Sequence, residues 1–346
     1  MKICIIRLSA LGDVCLFLPA FHILRRNFPR AEIVWIISPL EYELVRGLEG
    51  AEFVIYDKTS GLSGAFELGR TLLGRRFDYL LMAQESLRAS ALSLFVKADV
   101  RLGYDRARSK DFQRFFTNQT IAPHECAHLI ENGIDFARAL GATDLAIEYK
   151  LTIPDEAKAE ADAITNGVRY CVISPVANQV RRNWRNWTAA GYAAVIDFVR
   201  ERYGVVAVLS GAKADRVFTD EIKRLAKTEP IDAVGITTIK GLLALIKNAL
   251  FVVAPDSGPG HFAAALGTPA IALIAAADPR RAAPFQRPSY TVDRYEQALK
   301  RFCGKTPSEV KFGTRVRDPL AMSEIGIEAV TEMIEKVMKE RYDNIS

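Results

Sequence analysis

The chain has 346 residues, 49% hydrophobic and 25% charged, which excludes a disordered polypeptide and is enough for two domains of ordinary size. A formal net charge of +5 admits an acidic partner (a nucleotide, a phosphorylated lipid or an anionic membrane) without choosing among them. Five scattered cysteines, Cys4, Cys15, Cys126, Cys171 and Cys303, form no CxxC or Cys/His cluster, so a zinc site and a disulfide framework are unsupported and a reducing compartment is expected.

The opening MKICIIRLSALGDV has neither a long apolar core nor a small-residue cleavage site, and reads as a first strand rather than a signal peptide. Its apolar run, residues 3–8, is followed by a turn and a helix over 14–27, which Pro29 ends. Strands follow at 32–38, 54–56 and 79–83, with helices at 66–73 and 87–96. The segment 154–167, acidic and alanine-rich, is expected to link two halves. The alternation then restarts: strands at 170–174, 205–210, 251–254 and 270–274, with helices at 188–203, 218–226, 239–247 and 260–266. A last helix covers 324–341. No apolar run reaches the ~18 residues of a spanning helix, since Gly267, Thr268 and Pro269 interrupt the nearest one. Repeated strand–helix alternation predicts an α/β chain of two doubly wound parallel sheets facing a cleft. The domains are placed at 1–160 and 168–320, with 321–346 a helix packing across them.

Four segments could carry chemistry. In Ser9-Ala10-Leu11-Gly12-Asp13, after the first strand, Gly12 allows a tight turn and Asp13 enters the first turn of a helix. Asp13 is either a working carboxylate or a helix-start residue favoured by the dipole. Asp256-Ser257-Gly258-Pro259-Gly260-His261 turns from a strand into a helix whose free amides suit a pyrophosphate. Asp256 could accept from a sugar hydroxyl and His261 donate to phosphate; alternatively Asp256 or Ser257 only caps the helix. Arg181-Arg182-Asn183-Trp184-Arg185-Asn186-Trp187 follows the strand ending at Ser174, where arginines could neutralise a diphosphate or form a solvated basic loop. Between Arg88 and Arg114 lie seven basic residues, Arg106, Arg108 and Lys110 among them, against three acidic ones, with Phe112, Phe115 and Phe116 interspersed. This suits an anionic membrane or phosphorylated sugar-lipid, or else the rings are core and the charges a solvated face. No nucleic-acid-binding motif accompanies it.

GxGxxG after the first strand, GxxxxGK[ST], GxSxG and Asp-x-Asp are all absent from the sequence. A dinucleotide fingerprint, a P-loop, a hydrolase elbow and a metal-held nucleotide therefore lack support.

In this order, KICIIRLSALGDVCLFLPA, RNWTAAGY and APDSGPGHFAAALGTPAIAL resemble glycosyltransferase family 9, the ADP-heptose:lipopolysaccharide heptosyltransferases, over nearly the whole chain. AQESLRASAL with RLGYDRARSKDFQRFFTN is most similar to type I, acting on phosphorylated Kdo. The resemblance implies a GT-B fold, acceptor bound by the N-terminal domain and ADP-heptose by the C-terminal one. It implies inverting transfer of L-glycero-D-manno-heptose to Kdo or phosphorylated Kdo of lipid A, with no metal and no cofactor beyond the donor. It makes Asp13 the general base, with Ser9 and Gly12 beside the acceptor. Arg185 becomes a diphosphate contact with Arg182 a second, exchangeable because RNWRNW is tandem. Ser174, Asp256, Ser257, Gly258 and His261 form the donor loops, Asp215 stands near the ribose, and Arg88, Arg106, Arg108 and Lys110 face the anionic acceptor. The expected place is the inner face of the cytoplasmic membrane, peripherally bound, with no nucleic-acid partner. The rival functions are a heptosyltransferase acting on a later core heptose, a sugar-nucleotide epimerase of the same fold, and a non-catalytic peripheral membrane protein.

Overall fold

Apolar runs and amphipathic segments become strands and helices in turn along the computed structural model, which describes residues 1–177, 183–286 and 289–343. Two units divide at residue 152, Met1–Thr152 and Ile153–Ser346.

In the first unit the order is β1 (Lys2–Ile6), α1 (Leu11–Asn27), β2 (Glu32–Ile37), α2 (Pro39–Val45), β3 (Glu52–Ile55), α3 (Gly61–Thr71) and β4 (Phe77–Leu81). It continues with α4 (Leu87–Leu92), β5 (Ala98–Gly103), β6 (Gln119–Thr120) and α5 (Leu129–Ala139). All strand pairs are parallel, in the order β3-β2-β1-β4-β5-β6. Ile3 to Ile6 of β1 are fully buried, as a central strand covered on both faces requires. Side-chain alternation sends Cys4 and Ile6 to the face where Leu68 of α3 and Leu92 of α4 pack. Ile5 is in register with Trp35, whose ring meets Phe17 and Phe21 of α1 on the other face.

The second unit runs α6 (Asp155–Thr165), β7 (Tyr170–Ile173), α7 (Ala189–Tyr203), β8 (Val206–Leu209), α8 (Arg216–Leu225), β9 (Ile231–Asp232) and α9 (Ile239–Asn248). Then come β10 (Val252–Pro255), α10 (Gly258–Leu266), β11 (Ala270–Ile274), α11 (Pro279–Ala282), β12 (Tyr290–Asp293), α12 (Tyr295–Cys303) and α13 (Ile327–Asp343). Its parallel sheet has the order β12-β11-β10-β7-β8-β9.

Several details differ from the sequence expectation. The presumed linker 154–167 is instead largely helix α6, packed on α9 within the second unit, because Ala157 and Ala161 give it one small buried face. The last helix begins at Ile327 and packs on α7 and β12. Strand β5 was not anticipated because its Arg101 breaks the apolar pattern. The structure accommodates that guanidinium by aiming it at the carbonyls of Ser93, Val96 and Phe116. Among the described residues no helix is long and apolar enough to cross a membrane.

Candidate functional site

In a doubly wound sheet, ligands collect beyond the carboxyl ends of the strands where the strand order reverses. That point lies between β1 and β4 in the first sheet and between β7 and β10 in the second. Both loops singled out most strongly by the sequence leave strands at these points.

In the first unit, β1 runs into Arg7-Leu8-Ser9, and the Ser9–Ala10 peptide is cis. The amides of Leu8 and Ser9 both donate to Gln84 Oε1, at 2.7 and 3.1 Å, which ties the loop after β1 to the loop after β4. Gly12 and Asp13 then form the first turn of α1. Asp13 Oδ2 accepts from the Ala10 amide at 3.2 Å, and Oδ1 pairs with Arg7 Nη2 at 3.0 Å. Arg7 is itself fixed by donating to the Ala83 carbonyl at 2.6 Å. Asp13 therefore has both a capping and a charge-pairing partner, yet its side chain stays 40% exposed and can meet a ligand. The dipole-favoured helix-start geometry and a working carboxylate are compatible here.

Sequence reasoning missed the supports of this loop. Gln113 is fully buried, accepts from the Tyr104 amide and donates to the carbonyls of Met82 and Gln84. Arg7 and Gln84 sit next to segments that were singled out, but only the parallel pairing of β1 with β4 brings them together.

The basic segment separates into residues with different duties. Arg108 is a structural clamp, bonded to Asp105, Asn132, Asp135 and the Ala122 carbonyl, and its side chain is only 13% exposed. Burial opposes its charge, but its bonds to Asp135 and Asp105 outweigh this and raise its pKa above the ordinary value. Its expected role as an acceptor-facing cation gives way to this internal one. Lys110 pairs with Glu85 at 2.8 Å beside the Gln84 loop, while Arg88 and Arg106 are exposed. Phe112 and Phe115 are exposed, but Phe116 packs on the core.

In the second unit, β7 is followed by Ser174, which is buried and donates its amide to the Val253 carbonyl of β10. Further along, Asn183 Oδ1 accepts from the Arg185 amide. Asn186 accepts from the Ala177 amide and Asn183 Nδ2, pinning both ends of the loop. Arg182 lies outside the described residues, with its neighbour Arg181. Arg185 Nη1 donates to the Asp256 carbonyl at 2.8 Å and to Asp256 Oδ2 at 3.1 Å. Its Nε and Nη2 make no hydrogen bond to the described residues, so one edge of the guanidinium holds the loop and the other is available. Trp187 is core, not a ligand platform: it is buried and donates to the Ile325 carbonyl.

Asp256 and Ser257 lead into α10, whose first residue is Gly258. Ser257 is 7% exposed, and its hydroxyl has no hydrogen-bond partner among the described residues. A buried hydroxyl beside the N-terminal amides of a helix suits an anion. His261, also buried, places Nε2 3.9 Å from Asp256 Oδ1, too far for a hydrogen bond. Asp215, after β8, is buried and accepts from the Ala212 amide at 2.7 Å. Burial raises its carboxyl pKa above the usual range, with that amide opposing.

Among the described residues, His124, Glu131 and Asp135 have donor atoms close enough to share a metal ion. Arg108 and Arg138 already hold Asp135, and Arg138 holds Glu131, so cationic charge occupies that position.

The sequence profile of glycosyltransferase family 9 (heptosyltransferase) matches residues 65–309. The lipopolysaccharide core heptosyltransferase OpsX of Haemophilus influenzae is 32% identical over 97% of this chain and 96% of its own. Lipopolysaccharide heptosyltransferase 3 of Escherichia coli is 28% identical over 77% of this chain and 80% of its own. In fold, the chain is similar to a family 9 glycosyl transferase of Veillonella parvula, with a TM-score of 0.80 at 21% identity, covering 98% and 97% of the two chains. It is similar also to the E. coli ADP-heptose lps heptosyltransferase II, with a TM-score of 0.74 at 18% identity, covering 99% and 100%. The two doubly wound units are thus of the expected GT-B class.

Proposed function

Because the chain belongs to glycosyltransferase family 9, we propose that it is a lipopolysaccharide-core heptosyltransferase that moves L-glycero-D-manno-heptose from ADP-heptose to Kdo, or phosphorylated Kdo, of lipid A. The observation that carries this reading is the donor-type loop in the second unit. There, among the described residues, Arg185 Nε and Nη2 and the Ser257 hydroxyl have no hydrogen-bond partner, and α10 presents its N-terminal amides. These groups suit a diphosphate, whose negative charge grows as the glycosyl–phosphate bond breaks, and His261 adds a donor beside them.

Asp13 is the group available to take the proton of the attacking hydroxyl. It lies at the switch point of the first sheet, is partly exposed, and is oriented by Arg7 and the Ala10 amide. Attack on the anomeric carbon opposite the departing ADP inverts that centre. On this reading the leaving charge is met by Arg185, His261 and helix amides, and a metal is not needed. Arg88, Arg106 and Lys110 would meet the anionic acceptor, which is anchored in the inner face of the cytoplasmic membrane.

Product formation from ADP-heptose with Kdo-lipid A and its phosphorylated-Kdo form, each with and without EDTA, tests the proposal. Transfer to either acceptor, undiminished by EDTA, is expected, and Asp13→Asn should abolish it while leaving ADP binding nearly unchanged. Full activity of Asp13→Asn would remove the base assignment. A second reading, addition to a heptose later in the core, draws on the likeness to lipopolysaccharide heptosyltransferase 3. Transfer to a heptosylated acceptor, with none to either Kdo form, would establish it instead.

A further inference from the structure

Three successive amides of the loop after β1 are met by two side chains. Leu8 and Ser9 donate to Gln84 Oε1, and Ala10 donates to Asp13 Oδ2. The amide head of Gln84 and the carboxylate of Asp13 therefore sit on neighbouring peptide units of one loop, at the switch point between β1 and β4. Only an oxygen can accept from two N–H groups, so the Gln84 side chain is fixed one way round, with its nitrogen as the other end. Among the described residues Nε2 has one partner, Ser86 Oγ at 3.4 Å. That contact is long for a hydrogen bond and uses at most one of the two hydrogens. Gln84 is half-buried, so it is not sealed in the core.

The backbone that carries this group is fastened on every residue. The carbonyls of Met82, Ala83 and Gln84 each accept from a side chain distant in sequence. Gln113 Nε2 donates to the first and third, at 2.9 and 3.1 Å. Arg7 Nη1 and the Tyr104 hydroxyl donate to the second, at 2.6 and 3.2 Å. Gln113 and Tyr104 are buried, and Gln113 Oε1 takes the Tyr104 amide. Closing the two loops needs only the Gln84 oxygen. Three held carbonyls behind it also fix the nitrogen in place, as recognition of a ligand oxygen requires.

We propose that Gln84 is an acceptor-binding residue, whose Nε2 donates to an oxygen of the acceptor sugar beside the hydroxyl that Asp13 deprotonates. A sugar hydroxyl or carboxylate oxygen supplies the lone pair this donor needs, whereas an ammonium or guanidinium group does not. The inference rests on the reading of Asp13 as the base and names a second contact in the same site.

Gln84→Glu and Gln84→Met test it together. Both remove the N–H donor. Glu keeps an oxygen for the Leu8 and Ser9 amides, while Met keeps none and adds no charge. Titration calorimetry gives the Kd of whichever de-acylated acceptor, Kdo-terminated or heptosylated, the wild type glycosylates, and transfer kinetics give its KM. Each variant should weaken that acceptor about tenfold and leave ADP binding unchanged, and only Gln84→Met should lower Tm. Acceptor binding by Gln84→Glu within about twofold of wild type would overturn the assignment and leave Gln84 a loop clasp. Weakening confined to Gln84→Glu would overturn it too, since the added charge would then be the cause. Asp13→Asn separates the two ideas. If it is inactive while Gln84→Glu binds normally, this assignment alone falls; if the wild type neither binds nor glycosylates any of these acceptors, both fall.

Discussion

Replacing Arg185 by Met keeps the aliphatic stem and removes the guanidinium, leaving the Asp256 carboxylate without its nearest cation. The pair sits at 3.1 Å with side chains 17% and 9% exposed, and the same Nη1 also holds the Asp256 carbonyl at 2.8 Å. Breaking a buried pair costs about 3–5 kcal/mol, and residual water contact at this site lowers that to ~2–3 kcal/mol. For a domain of this size each 1 kcal/mol lowers Tm by about 2–4 °C, so a fall of about 4–12 °C is expected. If Arg185 contacts the diphosphate as proposed, losing those bonds, about 1.5–3 kcal/mol for a charged donor, should weaken ADP roughly ten- to a hundredfold. Differential scanning fluorimetry and ADP titration calorimetry read the two effects. Arg185→Met/Asp256→Asn should recover part of the stability, since no orphaned charge remains, but none of the ADP affinity. An Arg185→Met protein that melts within about 1 °C of wild type and binds ADP unchanged would refute the reasoning.

Two further outcomes follow from features away from the loops. His22 is buried, and burial lowers its pKa from 6.5 to about 4, with Glu148 partly opposing; its Nε2 accepts from the Lys150 amide. The unfolded chain binds this proton below pH 6.5 while the folded one does not, so stability should fall by up to ~3 kcal/mol as pH drops from 6.5 to 4. His22→Gln should flatten that part of a pH–Tm curve, and an unaltered curve would exclude His22 as its source. Gly191, in the first turn of α7, has no room for a methyl group: its Cβ would lie 2.5 Å from the buried Trp187 ring. Overpacking costs about 1–3 kcal/mol, and the better helix propensity of Ala returns at most ~1 kcal/mol. Urea denaturation of Gly191→Ala should therefore show a net loss, whereas a gain would mean that Trp187 shifts freely.

Much of the protein was legible from the sequence because its determinants are local. Short continuous apolar runs alternating with helical segments identified most strands and helices, and the glycine- and proline-marked turns at Gly12 and at Gly258–Gly260 identified the two principal loops. These depend on backbone sterics and on which groups precede a helix, and neighbouring residues suffice to specify both. Only the tertiary structure decided what long-range pairing assigns. It made Arg108 an internal clamp by placing Asp135 beside it, although its sequence neighbours resemble those of exposed Arg106. It turned the expected linker into α6, since an alanine face becomes a packing surface only when α9 is there to meet it. It left Phe112 and Phe115 in solvent while packing the half-buried Phe116 against the core. It also brought Gln84 under Leu8 and Ser9, and Arg185 onto Asp256, across 76, 75 and 71 residues. Side-chain burial and charge partners are properties of neighbours in space, and strand order, which sets those neighbours, is not encoded in any one segment.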